Sequence, residues 1–173
     1  MDSKPTPFDS DAPLGARRAI IRRNPDDLQE VEMVEASWGS DPRFSAGDSF
    51  RFARSEGQSF PSRRCLIPAS EFRMKVGAKR YRVTLDSGNF FYLAAVWEPA
   101  MGDWPLSYRI ITVAANREVA PFQDRHGAII HRRQVMQWLD STVPEADLLE
   151  TPPARTFIVE DAGSDIRQRS LAL

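Results

Sequence analysis

The chain of 173 residues has a single cysteine, Cys65, and two histidines, His126 and His131. A lone cysteine closes no internal disulfide, which suits a reducing compartment. So few thiol and imidazole groups, at no metal-ligand spacing, argue against a zinc site, and neither metal nor cofactor is expected. No apolar run approaches the ~20 residues that span a bilayer. The opening stretch MDSKPTPFDSDAPLG has neither a basic start nor an apolar core, so a soluble, cytoplasmic protein with no membrane contact is expected. Net charge is −1, so no global basic field announces nucleic acid. Lysine is scarce, at positions 4, 75 and 79 only, which leaves 20 of the 23 basic residues as arginine. Arginine offers a planar fork to phosphate and a flat face to a base, although a codon bias toward arginine accounts for the same excess.

What is present suffices for one domain, since 42% of the residues are hydrophobic and a chain of this length buries roughly 70% of its unfolded surface. Residues 1–16, rich in proline and aspartate and without apolar periodicity, read as a poorly ordered arm, with a single domain over 17–173. Short strands are expected at Ala19–Ile21, Ser107–Ala114, Ala128–Ile130 and Thr156–Val159, Val31–Ala36 reads as either strand or helix, and a turn is expected at Asn24–Asp27 with a loop over 43–49. Arg80–Leu85 alternates with period two and Phe90–Trp97 is continuously apolar. With Asp86–Asn89 between them, the two read as a β-hairpin. Arg132–Asp140 reads as a helix whose Val135, Met136, Trp138 and Leu139 form an apolar face.

The stretch from Arg51 to Phe72, RFARSEGQSFPSRRCLIPASEF, combines a basic cluster with a short strand, Cys65–Ile67, that Pro68 is expected to halt. From Arg51 to Arg82 nine Lys/Arg face only Glu56 and Glu71, a net +7 between more acidic flanks. A polarised molecule with one basic face is the footprint of phosphate binding.

Ala53-Arg54-Ser55-Glu56 followed by Arg63-Arg64-Cys65-Leu66-Ile67-Pro68-Ala69 resembles the A-R-S-E and R-R-C-L-I-P-A motifs of the SOS-response-associated peptidase (SRAP) family. Further pieces match in the same order: Trp38-Gly39 with Pro42, Val96-Trp97-Glu98, Ile110-Ile111-Thr112 through Asn116, Val119-Ala120-Pro121 with Asp124-Arg125, and Trp138-Leu139. With the alternating strands, the resemblance implies an α+β fold of mainly antiparallel strands curled into a pseudo-barrel, with a few short helices. It also implies proteins that bind single-stranded DNA, link covalently to abasic sites and remove their own initiator methionine.

The resemblance implies four catalytic positions, and each is substituted here. Asp2 stands where a nucleophilic cysteine follows the initiator methionine, and Phe52 where an asparagine precedes A-R-S-E. Met74 falls on the glutamate's place and Gln123 on that of the histidine before Asp124-Arg125. Phenylalanine and methionine do not titrate, and glutamine hydrogen-bonds without shuttling protons. Glu71 and His126 are the neighbours available as substitutes, Glu71 if its loop is re-registered and His126 against the plainer reading of a histidine lining a loop. Arg54, Arg63, Arg64 and Arg125 match positions implied to hold phosphates, and Trp38 one near the base-stacking surface. The opposing reading has the arginines bracing the pocket and Trp38 in the core. Three functions stay open: a non-covalent module for single-stranded or abasic DNA, an active crosslinking enzyme using displaced groups, and a protein-interaction domain. A monomer is expected.

Overall fold

A computed structural model describes residues 5–44 and 50–164. Asp2 and most of the loop expected over 43–49 therefore lie outside the described residues. Among the described residues eleven strands run in chain order: β1 (Thr6–Asp9), β2 (Arg17–Asn24), β3 (Asp27–Trp38), β4 (Phe52–Arg54), β5 (Arg64–Val76), β6 (Lys79–Leu85), β7 (Phe91–Glu98), β8 (Ser107–Ala114), β9 (Arg125–Gly127), β10 (Ile129–Ile130) and β11 (Phe157–Ser164). Two short helices, α1 (Val135–Asp140) and α2 (Glu145–Leu148), lie between β10 and β11. Strands β7, β8, β3, β2 and β5 pair in that order, and β5 returns to β7, closing a five-stranded ring. Most pairings are antiparallel, while β1–β5, β3–β8 and β4–β8 are parallel. This is the α+β pseudo-barrel expected.

Period-two alternation on the ring strands feeds two cores. Cys65, Ile67, Leu93, Ala95 and Ile110 point into the barrel with Trp38 and Phe72. Leu66, Ala94, Val96, Ile111 and Val113 point to the opposite face, where Trp138, Leu139 and Leu148 of the helices cover them. That double burial explains the unbroken apolar run of β7. The helix expected over 132–140 begins as a 3₁₀ turn at Arg132–Gln134. Met136, expected on its apolar face, is exposed.

Strand β5 corrects two expectations. It runs straight through Pro68. Pro68 sits between Leu66, where pairing with β2 stops, and Ala69, where pairing with β1 starts. Its carbonyl accepts from Arg18 Nη2 at 2.7 Å on that same edge, so the missing N–H faces a gap in the neighbouring strands and costs no ladder bond. The expected β6–β7 hairpin does not form. A two-residue turn at Gly77-Ala78, with Gly77 at φ 62°, folds β6 back on β5 with Val76 opposite Lys79 and Phe72 opposite Val83. Strand β7 then pairs with the earlier half of β5, from Ala69–Phe91 to Arg64–Val96. Because β1 and β2 occupy the other edge of β5, β6 and β7 lie end to end along one edge, and 86–90 is an excursion between them.

Residues 6–9, expected in a disordered arm, form β1. Phe8 is 6% exposed and meets Trp38 edge-on at 5.4 Å between ring centroids. Its burial compensates for the ordering entropy of a segment without periodicity.

Candidate functional site

An open cleft of about 640 Å³ lies where β1, β4, β5, β8 and β9 meet. Its floor is apolar, made by buried Phe8, Phe72, Leu93 and Ile110 with half-buried Phe52. Around the floor stand Arg54, Arg73, Arg109 and Arg125, with Gln58, Thr112 and Gln123 as neutral polar groups and Asp11 as an acid. The short β4 carries Phe52 and Arg54 into place by pairing with β8 from Phe52–Ile110 to Arg54–Thr112. Strand β9 brings Arg125 in from the other edge of β8, opposite Ala114.

The charge of the cleft is moderated by carboxylates just outside it. Arg125 Nη2 donates to both oxygens of Glu56 at 3.0 and 2.7 Å, and its Nε donates to Thr112 Oγ1 at 3.0 Å. Burial pushes the Glu56 carboxyl up, but hydrogen bonds led by that from Arg125 outweigh it and hold the group below its ordinary value. Arg73 Nε donates to Glu71 at 3.2 Å, and Arg109 lies 3.8 Å from Glu98. Exposed Arg54 forms no ion pair with any described residue. Each pair has one exposed member, Arg73 in the first and Glu56 in the second, so water competes for both ion pairs.

Of the expected DNA-binding residues, the structure brings Arg54 and Arg125 into the cleft. Arg63 lies elsewhere, exposed at φ 58° with its guanidinium 5.8 Å from the centroid of Trp97. Arg64 requires a correction, being only 7% exposed. Its Nε donates to Phe60 O at 2.7 Å, Nη1 to Trp138 O at 3.1 Å and Nη2 to Glu145 at 2.9 Å, while its guanidinium lies 4.4 Å from the Trp138 ring centroid. It is a brace between β5 and the helices, closed to phosphate. Trp38 requires another, because at 1% exposure between Phe8 and Phe52 it is core and presents no face to a base.

Neither substitute acid–base group is placed to act. Glu71 is not among the groups lining the cleft, and it accepts from Arg73. His126 does line it, stacked on Phe72 at 5.8 Å, but both ring nitrogens are taken. Nε2 accepts from the Asn116 N–H at 3.2 Å and Nδ1 faces Gly127 O at 2.8 Å, which fixes the neutral tautomer with its proton on Nδ1. Burial lowers its pKa below the ordinary imidazole value. Of the substituted positions, Phe52 and Gln123 line the cleft, whereas Met74, 2% exposed, packs in the barrel core. Cys65 is fully buried, and burial pushes its thiol well up, away from the reactive thiolate. Among the described residues no three His, Cys, Asp or Glu side chains converge as a metal site, and no helix is long and apolar enough to cross a membrane.

Sequence reasoning missed Phe8, Phe72, Arg73 and Arg109 as cleft residues. Halting the strand at Pro68 hid Phe72 and Arg73, which the period-two alternation of 69–76 would have recovered. Arg109 carries no local signal beyond being a charge inside a β-branched strand.

The model of the family described as SOS response associated peptidase (SRAP) matches residues 11–166. Among solved structures, the chain is similar to a protein from Bordetella bronchiseptica, with TM-score 0.67 and 22% identity over 91% of this chain and 90% of that one. It is also similar to a protein from Bacteroides thetaiotaomicron, with TM-score 0.64 and 19% identity over 88% and 76%. At these identities the likeness is one of fold. No curated protein matches the chain.

Proposed function

The chain belongs to the SOS response associated peptidase (SRAP) family, and from that premise we propose that its cleft binds single-stranded DNA without linking to it covalently. The observation that carries this reading is the cleft itself, four arginines around an aromatic and aliphatic floor, where His126 is tied at both ring nitrogens and the one cysteine of the chain is buried elsewhere. Arginines on phosphates release counterions, and apolar rings accept bases of any sequence, which together are the ordinary physics of single-strand binding. The covalent chemistry implied by the resemblance needs a thiol that traps an imine and groups that move protons. In this chain the one cysteine is buried, Phe52 and Gln123 face the cleft, and the His126 imidazole is tied on both sides.

The test is a native titration of the protein with single-stranded and duplex oligonucleotides at rising salt. Single strands should bind more tightly, with affinity falling linearly in log–log form by about 0.7 per phosphate contacted. Binding that is absent at low salt, or indifferent to salt, contradicts the proposal. A protein partner is the second reading, favoured by the glutamates that already answer Arg73, Arg109 and Arg125. It becomes the better one if no nucleic acid binds.

A further inference from the structure

Resting on the single-strand reading, we propose that the cleft holds an intact, unstacked nucleobase, so that the protein prefers a complete strand to one with a missing base. A sugar lacking its base offers a pocket hydroxyl groups and an aldehyde, and has no flat apolar surface to bury. The groups here suit the opposite ligand. Phe52 is half-buried and lines the cleft, which makes it the floor ring with surface left over, since Phe8 and Phe72 are 6% and 5% exposed. Trp38 meets Phe52 edge-on from within the core, at 5.6 Å and 79°, and fixes the ring in place. Gln123 supplies an amide, both donor and acceptor, whose side chain makes no hydrogen bond with any described residue. A stacking ring, an amide that can pair with a base edge and a guanidinium at Arg54 for the adjoining phosphate are the three contacts a single nucleotide requires. The volume of about 640 Å³ exceeds that of one base, leaving room for its sugar.

The experiment uses the full chain and two single strands of one sequence, one with thymine at the centre and one with a tetrahydrofuran abasic analogue there. The intact strand is expected to bind roughly tenfold more tightly, the scale of one base–aromatic stack. Phe52→Leu, which keeps apolar volume and removes the ring, should bring that ratio towards one. Independently of any variant, 2-aminopurine at the central position should brighten on binding the unaltered protein, because it leaves the stack of its neighbours. Equal affinities, a tighter abasic strand, or binding with unchanged 2-aminopurine emission would overturn the inference while leaving single-strand binding intact. If neither strand binds, the functional reading fails and takes this one with it.

Discussion

Arg54 and Arg64 are both carried on strands of one barrel, yet they stand in opposite physical situations. Arg54 is exposed at the mouth of a wide cleft, without an ion pair to any described residue and free to meet a phosphate. Arg64 is shut between β5 and the helices with three of its donor nitrogens filled by two carbonyls and Glu145. Burying a guanidinium is costly unless it is hydrogen-bonded and paired, and here each of its three nitrogens has a partner. The brace ties β5 to α1 and α2, and the cleft keeps charge where water can still reach it. Identity alone therefore does not assign an arginine to binding; its exposure and its partners do.

The sharpest way to break this contrast is Arg64→Ala. It strands the carbonyls of Phe60 and Trp138 and leaves Glu145 with only the Phe60 N–H and the Ser59 hydroxyl, and should cost about 3 kcal/mol of stability in denaturant unfolding, with the DNA affinity of the folded protein unchanged. Arg54→Ala should do the reverse, lowering single-strand affinity by about 1 kcal/mol and the salt slope by roughly 0.7 with no shift in unfolding midpoint. If Arg64→Ala weakened DNA binding in a fully folded protein, the division between brace and cleft would be wrong. Glu56→Gln removes the carboxylate that competes for Arg125, and should raise affinity by less than about 1 kcal/mol at low salt, as read by the same titration.

The smallest effect concerns pH. Burial lowers the pKa of His126, the hydrogen bond to Gly127 opposes it and Arg125 lowers it further. The unfolded chain then takes up a proton near the ordinary 6.5 that the folded protein refuses. Stability should fall as pH drops below that value and level off below the folded pKa. His126→Gln should flatten this slope in urea midpoints measured across the window. An unchanged slope would assign it to His131, which burial also lowers.

Strand content, the two-sided burial of β7 and the approach of Arg54 and Arg125 to one another were legible because period-two alternation and ordered motifs are local signals. The pairing of β6 with β5 was not, because an Asp-Ser-Gly-Asn turn advertises a hairpin whether or not a longer neighbour outcompetes it for the same edge. Pro68 was misleading for a related reason: a missing donor matters only where a partner strand faces it. Trp38 and Arg64 lie within recognisable motifs, but whether a motif residue faces solvent or core depends on what packs over it, here Phe8 for one and α1 with α2 for the other.

Binding without bonding separates from crosslinking when the protein is incubated with an abasic single strand and run on a heated denaturing gel. An amine alone forms an imine that water reverses, and with the one cysteine buried and His126 tied at both ring nitrogens no heat-stable product should appear. Free DNA is expected on the denaturing gel beside a shifted complex on the native one. A heat-resistant band without added reductant would contradict that expectation.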